Sequence, residues 1–379
     1  MSSIKVGIIG YGNAAKTFHL PFIKTVSELE VYAILQRSEA PADPASSPKG
    51  SHCTVDFPNI KHYRTAEEFF ADKNIDLVVV ATHTDTHASF AKQAVEAGKH
   101  VISDKPFATS AEEADEVIKA AEKSGKIATC YQNRRWDGDF QTLLDLKNKN
   151  AFGDIKEAEI HYDFESPDFL KHLPAKYTPG GGLAFGLGTH SVYHAYTLFG
   201  RPSSVTGFYR VYRDATSKVE DTFTIILQYG DDPLKGRLVT VKTAVITPMA
   251  QQLKYWVRGT KGSYIKFQKR SFCPQEEDLA VGKGPTDPDY AKEAEKYWGT
   301  LTTYDEFDSS IQKFEPEINK YTGQVPTIRG NFSGIYQNLA RAILGKEELV
   351  VKLPNVRDCL RILELARESH EKGTTVAWR

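Results

Sequence analysis

The chain has 379 residues, of which 40% are hydrophobic and 26% charged, and its formal net charge at pH 7 is −1. This length indicates two domains, and the near-neutral charge gives no support for a nucleic-acid partner. No apolar run approaches the length of a membrane span, and the opening MSSIKVGIIG enters a strand without the features of a secretory signal. The four cysteines are scattered without metal or redox spacing. We therefore expect reduced thiols, a metal-free site and a cytoplasmic protein.

The first third of the chain alternates buried strands with helical patterns, which is typical of a parallel sheet with crossover helices. The predicted strands are Ile4–Ile9, Val31–Gln36, Asp76–Thr82, His100–Ser103 and Ile127–Tyr131. A helix is predicted over Asn13–Val26, and capping boxes begin two more helices after Thr65 and Ser110. Residues Ser38–Gly50 are rich in Pro, Ser and Ala and are predicted to form an exposed loop. A doubly wound α/β domain is therefore expected over residues 1–131.

The second part of the chain, residues 132–379, has a different pattern of strands that follow one another with short turns. The predicted strands are Ile155–Phe164, Val205–Tyr212, Asp221–Tyr229, Arg237–Val245, Gln252–Arg258 and Gly262–Gln268. The predicted helices are Asp139–Asn148, Thr189–Phe199, Phe332–Leu344 and Asn355–Lys372. Pro274–Asp289 is predicted to be a loop. This succession favours an α/β domain with a large, mostly antiparallel open sheet.

A glycine-rich motif follows the first strand and opens a helix, in the form Gly10-Tyr-Gly12-Asn13-Ala14-Ala15. In this context G-x-G-x-x-A is a dinucleotide-binding fingerprint of a Rossmann domain, in which Gly10 makes the tight turn and Gly12 admits the pyrophosphate. Ala15 allows the helix to pack closely on the strand. The alternative is a tight strand-to-helix turn without a ligand. We favour a nicotinamide dinucleotide on the helix N-terminus, where free N–H groups attract anions.

The end of the second strand indicates which dinucleotide is bound. NAD enzymes usually carry an acidic residue there for the ribose hydroxyls, but this chain has Leu35-Gln36-Arg37-Ser38. Arg37 can pair with a 2′-phosphate and Ser38 can donate to it. We predict a preference for NADP, with NAD possible, unless Arg37 is only a solvated surface residue.

The chain resembles the glucose–fructose oxidoreductase / inositol dehydrogenase / MocA family over nearly its whole length. The likeness is carried by GYGNAAKTFHLPFI, by HASFAKQAVEAGKHVISDKPFATSAEEA and by GGGLAFGLGTHSVYHAYTLFGRP. The segments NRRWDGDFQTL and GTKGSYIK most resemble the NADP-dependent scyllo-inositol dehydrogenase subgroup. The resemblance implies hydride transfer between NAD(P) and a sugar, polyol or related carbonyl compound. It also implies that the open sheet is a subunit interface, in a homodimer or homotetramer.

The same resemblance implies two catalytic residues. Lys105 follows a strand and precedes Pro106, which places it at the carboxyl edge of a parallel sheet, and it matches the family's catalytic lysine. Asp104 stands where relatives usually have Glu. His190 matches the catalytic histidine, and imidazole titrates near working pH. The alternatives are a surface lysine in a turn and a histidine with an ordinary structural role.

The sequence departs from the family pattern around this histidine. Four residues before it relatives often have Asp, but this chain has Gly186, and three residues after it stands Tyr193, followed by His194. Asp163 or Tyr193 could replace the missing acid, and the sequence does not rank them. Otherwise the chemistry relies on Lys105 and His190, or catalysis is weak.

Further site residues are expected near the ends of strands. For the cofactor they include Thr82, His83, His87, Asp104, Lys105, Arg134 and Trp136, although His87 could only cap or pack. For a small polar substrate they are Lys105, Trp136, Tyr162, Asp163, His190, Tyr193 and His194. Arg134 or Arg135 could bind substrate or close the nicotinamide pocket, and Trp136 could stack on a sugar or pack between domains.

Three functions are compatible with these observations. The first is an NADP-dependent dehydrogenase or reductase of a cyclic polyol or sugar, favoured by Lys105 and His190. The second is an NADP-sensing regulatory protein of the same fold, which Gly186 and Tyr193 favour slightly. The third is reduction of a non-sugar carbonyl compound in an aromatic-rich second domain.

Overall fold

The computed structural model describes residues 3–173, 175–214, 216–232, 235–268 and 273–379. The chain forms two compact units. The first comprises Met1–Asn133, Gly284–Asp287 and Phe332–Arg357; the second comprises Arg134–Lys283, Pro288–Asn331 and Asp358–Arg379. The first change of unit lies two residues beyond the predicted boundary, and the return of Phe332–Arg357 to the first unit was not predicted.

The regular elements are numbered in chain order. The described strands are β1 Ile4–Ile9, β2 Leu29–Leu35, β3 Lys61–Tyr63, β4 Leu77–Val80, β5 His100–Ser103, β6 Ala128–Cys130, β7 Ile155–His161, β8 Ser204–Arg210, β9 Thr222–Tyr229, β10 Arg237–Thr243, β11 Gln252–Gly259, β12 Gly262–Gln268, β13 Gly299–Thr303, β14 Lys313–Glu315, β15 Lys320–Val325 and β16 Val376–Ala377. The described α-helices are α1 Leu20–Ile23, α2 Cys53–Asp56, α3 Ala66–Ala71, α4 His87–Glu96, α5 Ala111–Ser124, α6 Gly138–Asn148, α7 Gly182–Gly186, α8 Gly188–Phe199, α9 Pro274–Ala280, α10 Gly334–Ile343 and α11 Leu353–Lys372. None of these described helices combines the length and apolar character that a membrane span needs.

The first unit contains a parallel sheet in the order β3-β2-β1-β4-β5-β6, which is the doubly wound order of a Rossmann domain. Both predicted helix starts have their N-cap bond, since Thr65 and Ser110 accept hydrogen bonds from the backbone N–H groups of Glu68 and Glu113. The strands end at one edge of the sheet, where an open α/β sheet binds ligands. The fold thus brings the residues that follow β1, β2, β4 and β5 to a common edge.

The predicted helix Asn13–Val26 is interrupted, which corrects the sequence interpretation. A π-helical turn covers Ala15–His19, and a short α-helix, α1, follows at Leu20–Ile23. Pro21 lies at the start of α1, and proline has no N–H to donate to the preceding turn. The hydrogen-bond pattern therefore changes just before this residue.

The second unit contains a sheet whose described strands run in the order β14-β15-β13-β12-β11-β7-β10-β9-β8-β16. The described neighbours are antiparallel except for β7 and β10, which pair in parallel. Side chains alternate along β9 between buried and half-buried, so one face packs in the core and the other is open. The predicted fold class is confirmed.

Two features of the second unit differ from prediction. The predicted loop Pro274–Asp289 begins with helix α9, because Pro274 at the first helical position and Glu276 and Glu277 in the first turn favour a helix start. Strands β13, β14 and β15 extend the sheet beyond the six predicted strands. Strands β14 and β15 were missed because β14 is fully exposed and β15 mostly half-buried, which weakens the alternation that marks a strand.

Candidate functional site

The glycine-rich turn after β1 has the geometry that a dinucleotide needs. Gly10 has φ +96°, and a Cβ there would lie 2.5 Å from the Ala81 carbonyl oxygen, so only glycine fits. At Gly12 a Cβ would meet nothing within 4 Å, which leaves the backbone open to a ligand. Ala15 is fully buried. The turn is therefore tight on its protein side and open on the other.

A cavity of about 600 Å³ lies along this turn and the ends of β2 and β4. Its lining residues are Ile9, Gly10, Tyr11, Gly12, Asn13, Ala14, Leu35, Gln36, Arg37, Ser38, Ala81, Thr82, His83, Thr86 and Phe90. Most of the residues predicted for the cofactor in the first unit are thus brought together. Ala15, His87, Asp104 and Lys105 are not among the lining residues.

The segment after β2 is held by two histidines from nearby loops of the first unit. His52 donates from Nε2 to the Ser38 carbonyl at 3.3 Å, and His62 donates from Nε2 to the Gln36 carbonyl at 2.9 Å. Both Arg37 and Ser38 are exposed. Arg64, which the sequence reasoning missed, donates from Nε to the Arg37 carbonyl at 3.3 Å. Its place directly after β3 was the available signal, because that strand is parallel to β2 and ends at the same edge.

One described group has the composition of a metal site. The ligand atoms of His52, Cys53 and His62 all lie within 4.8 Å of one another. However, His52 Nδ1 accepts from the Thr54 backbone N–H at 3.2 Å while its Nε2 faces a carbonyl. Burial raises the pKa of the Cys53 thiol to about 11. The two histidines hold the Gln36 and Ser38 carbonyls through hydrogen bonds, and a metal ion bound by the same nitrogen atoms would have to displace those hydrogen bonds.

His87 ties the loop after β4 to the segment after β5. It is 2% exposed, and its Nδ1 lies 2.7 Å from the Pro106 carbonyl oxygen and its Nε2 3.1 Å from the Thr82 carbonyl oxygen. The Thr82 hydroxyl in turn lies 2.7 Å from that of Thr86. His87 therefore supports the loop that carries Thr82 and His83 at the cavity.

Lys105 lies directly beyond the end of β5, after Asp104 and before Pro106. Asp104 Oδ1 accepts a hydrogen bond from the Lys105 backbone N–H at 2.7 Å, and the Lys105–Pro106 peptide bond is cis. Asp104 Oδ2 lies 3.5 Å from Nε2 of the buried His19. The lysine is half-buried at the ligand-binding edge of the sheet.

His190 belongs to the second unit and is 3% exposed on α8. The preceding glycine-rich stretch has a structural cause. Gly182 has φ +84°, and a Cβ there would collide with Oε1 of buried Glu220. Glu220 accepts from the Ala184 backbone N–H and pairs with Arg367 at 2.9 Å. This ion pair anchors the start of α7, which leads through Leu187 into the helix that carries His190.

Tyr162 lies among the rings of the second unit and is itself fully buried. Its ring is nearly parallel to that of His190, at 16° with 6.4 Å between centroids. Its hydroxyl lies 3.4 Å from His194 Nδ1, and the Tyr255 hydroxyl lies 3.1 Å from the same atom. His194 Nε2 donates to the Arg134 carbonyl at 3.0 Å. Burial lowers the pKa of His194 well below its usual value, so the ring is neutral and Nδ1 accepts.

A buried lysine that the sequence reasoning missed lies against the same tyrosine. Lys254 is fully buried, and its Nζ lies 3.2 Å from the centroid of the Tyr162 ring, a cation–π contact. Burial lowers the pKa of Lys254 to about 8, although the carboxylates of Asp139 and Asp137 favour its charged form. It was missed because the strand register shifts between Leu253 and Tyr255, which lets adjacent residues both face inward.

Arg134 is held by acidic groups of its own unit. Its guanidinium lies 2.5 Å from Glu276 and 3.4 Å from Asp137, and the side chain is nearly fully buried. Burial raises the pKa of Asp137 to about 7, and the Arg134 charge offsets only part of that effect. Arg134 thus belongs to a buried charge cluster with Lys254.

Three other predicted substrate residues differ in their surroundings. Asp163 accepts from the Ala244 backbone N–H at 2.7 Å and lies 3.1 Å from His161 Nδ1. Tyr193 is 3% exposed, whereas Trp136 is half-buried. Both oxygens of Asp163 are therefore engaged within the sheet of the second unit.

Comparison with known proteins agrees with this architecture. Residues 4–132 match the oxidoreductase family with an NAD-binding Rossmann fold, and residues 140–265 match the GFO/IDH/MocA C-terminal domain. The chain belongs to the Gfo/Idh/MocA family. This Gfo/Idh/MocA protein is therefore an NAD(P)-dependent oxidoreductase, which confirms the predicted family and enzyme class.

Relatives of this Gfo/Idh/MocA protein align over nearly its whole length. An uncharacterized oxidoreductase of Schizosaccharomyces pombe is 34% identical over 99% of this chain and 100% of its own. The scyllo-inositol 2-dehydrogenase (NADP(+)) IolW of Bacillus subtilis is 28% identical over 99% of this chain and 96% of its own. A solved oxidoreductase of Bacillus cereus is 26% identical with a TM-score of 0.85, covering 100% of this chain and 99% of that one.

Proposed function

We propose that this protein is an NADP-dependent dehydrogenase or reductase of a sugar, an inositol or a related polyol or carbonyl compound. The observation that carries the proposal is the open cavity along the glycine-rich turn, which ends at exposed Arg37 and Ser38 rather than at an acidic residue. The 28% identity to a scyllo-inositol dehydrogenase named for NADP supports both the cofactor and the substrate class.

The residues around the cavity fit a dinucleotide. Gly10, Gly12, Asn13 and Ala14 would hold its pyrophosphate, because their backbone is open to the cavity at Gly12 and leads into a helical turn. Arg37 and Ser38 would hold a 2′-phosphate, joined by Arg64. Thr82 and His83 would face the nicotinamide half, with His87 and Asp104 as supports behind them. When bound, the nicotinamide supplies or takes up the hydride.

Lys105 and His190 are proposed to act on the same substrate oxygen. The Lys105 ammonium would donate to that oxygen and stabilise the negative charge that develops when an alcohol loses its proton. A ring nitrogen of His190 would take that proton during oxidation and return it during reduction. Asp104 would keep a negative charge beside Lys105.

The polar residues of the second unit are proposed to divide between binding and support. Trp136 and Tyr193 would contact the substrate together with His190, since an aromatic ring can stack on the apolar face of a sugar. Tyr162 and His194 would hold the His190 ring in place, because both are fully buried and bonded to neighbouring rings and backbone. Arg134 and Asp163 would support the same group of buried side chains through their ion pairs and backbone contacts.

A substrate screen tests the proposal. Purified protein is mixed with NADP or, as a control, with NAD at equal salt, and reduced cofactor is recorded by its absorbance across inositols, aldoses and linear polyols. Aromatic and aliphatic carbonyl compounds are tested in the reverse direction with NADPH. We expect turnover with at least one cyclic polyol or sugar and NADP. Turnover with carbonyl compounds alone would replace the substrate class, and no turnover in either direction would refute the proposed activity.

A further inference from the structure

A line of buried polar groups runs from helix α10 to the residue before Lys105. The Tyr336 hydroxyl lies 2.6 Å from His19 Nδ1, and His19 Nε2 lies 3.5 Å from Asp104 Oδ2. The other carboxylate oxygen of Asp104 accepts the Lys105 backbone N–H at 2.7 Å. All four residues belong to the first unit, and Tyr336 and His19 are fully inaccessible to solvent.

The donors and acceptors along this line are consistent with one another. An ionised carboxylate only accepts, so the nitrogen of His19 that faces Asp104 carries the proton. His19 Nδ1 then accepts from the Tyr336 O–H. The order is therefore Tyr336 donating to His19, and His19 directing its N–H towards Asp104.

The packing around His19 holds its ring in one place. The Tyr131 ring lies 4.3 Å from that of His19, and the Tyr131 hydroxyl donates to the Phe18 carbonyl. Burying polar side chains costs free energy unless they are bonded to one another, and apolar residues would fill the same space without that cost. The arrangement therefore needs a reason beyond core packing.

The charged and polar groups around Asp104 favour its ionised form. Burial alone would raise the pKa of Asp104, but its interactions with His19, followed by those with Lys105 and His87, lower it overall. Two further titratable groups face it, Cys130 and Tyr336, and burial followed by the charge of the carboxylate raises the pKa of both. These neighbours come from β6, α4, α10 and the turn that contains His19.

We propose that His19 and Tyr336 are positioning residues for the reaction, which act through Asp104 to fix the segment that carries Lys105. Tyr336 orients the His19 ring, and His19 keeps Asp104 turned so that its other oxygen holds the Lys105 backbone. His87 holds the Pro106 carbonyl, so the residues before and after Lys105 in the chain each contact a buried histidine. This inference rests on the proposed role of Lys105.

The test compares Tyr336→Phe, His19→Phe and His19→Gln with the starting protein, using the best substrate of the screen. Because small displacements of a reacting group can cost about 100-fold in rate, we expect His19→Phe to lower kcat by about that factor. Tyr336→Phe should lower it by about tenfold, because the ring loses one of its two anchors. His19→Gln should recover most of the loss, since an amide can also donate on one side and accept on the other. The KM for NADP should stay unchanged.

The pH profile gives a readout that a purely structural role would not move. Without the His19 contact the pKa of Asp104 rises. Asp104 therefore becomes protonated at a higher pH when the solution is acidified. The acid limb of the kcat profile in His19→Phe should therefore move upward, while that of His19→Gln stays near its starting position. Tyr63→Phe is the matched control, because it removes a hydroxyl that donates to a carboxylate, Asp72, elsewhere in the same unit.

Lys105→Ala, measured beside these variants, separates the two ideas. Unchanged turnover in Lys105→Ala would refute the proposed function, and with it this inference. If Lys105→Ala loses turnover while Tyr336→Phe and His19→Phe match Tyr63→Phe in kcat and pH profile, only the positioning role is overturned. Should His19→Phe fail to fold in thermal unfolding, Tyr336→Phe still decides, because its expected tenfold loss in kcat is absent if the contact has no positioning role.

Discussion

The preference for NADP is expected to depend on Arg37, which makes Arg37→Asp the most informative single change. The guanidinium is exposed at the end of the cofactor cavity, where the 2′-phosphate of a bound NADP would lie. A hydrogen bond to a charged group contributes about 1.5–3 kcal/mol, which corresponds to about 10- to 150-fold in Kd. Solvent exposure and salt screen the interaction, so the lower half of this range is expected at about 0.15 M salt.

The replacement also changes the sign of the local charge. The introduced carboxylate would repel a 2′-phosphate, whereas an acidic residue at this position is what NAD enzymes use to hold the ribose hydroxyls. NAD binding should therefore stay constant or improve while NADP binding weakens. Arg64→Ala should cause a smaller loss in the same direction, because Arg64 reaches this region only through its contact with the Arg37 carbonyl.

Cofactor titration by tryptophan fluorescence or calorimetry at two salt concentrations measures these effects. The matched control is Arg341→Asp, which makes the same charge change at an exposed arginine on α10 that pairs with Glu347. The control should leave both Kd values unchanged. Equal affinity for NAD and NADP in the starting protein, or an equal loss of both in Arg37→Asp, would refute the reasoning.

The remaining predictions concern the catalytic residues and assembly. Lys105→Ala should lower kcat by at least about 100-fold with NADP binding retained, and His190→Ala should cost less; a larger loss for His190→Ala would reverse their proposed importance. Gly186→Asp should raise kcat, because a Cβ there meets nothing within 4 Å and residues four apart on consecutive helical turns are neighbours; a fall in kcat with intact folding would contradict this. The open sheet face carries Phe208, 45% exposed, and Leu238, 39% exposed, so light scattering should give a dimer or tetramer and Phe208→Glu should weaken it; a monomer at micromolar concentration would count against the interface.

The parts of the fold that follow local rules were predictable from the sequence. Strands β1 and β5 have the predicted bounds, because each is a short buried run between turn residues. The start of α5 follows from a capping box, and Gly125 ends it in the left-handed conformation. The return of Phe332–Arg357 to the first unit was not predictable, since it depends on contacts such as Phe22 with Phe332, whose rings lie 5.7 Å apart.

The candidate site was predictable where a motif lies next to a strand end. The glycine-rich turn, Arg37 and Thr82 line one cavity, as expected for parallel strands that end at one edge. His19 was not singled out, because its partner Tyr336 is 317 positions away in the sequence. Lys254 was not singled out because its side chain points into the core only through a local shift of strand register. No pattern of residues in the sequence predicts that shift.

Position 186, where relatives often have Asp, also affects the relative contributions of Lys105 and His190 to the proposed catalysis. Gly186 has no side chain, and both oxygens of Asp163 are engaged by the Ala244 backbone and by His161, so this acid already has contacts within the sheet of its own unit. The nearly parallel ring of Tyr162 can fix the plane of the imidazole, but an aromatic ring supplies no negative charge to raise its basicity as a carboxylate would. In the first unit, by contrast, Asp104 places a charge beside Lys105 and is held there by a buried histidine. The better-supported electrostatic partner in this protein therefore belongs to the lysine, and we infer that Lys105 contributes the larger share of transition-state stabilisation.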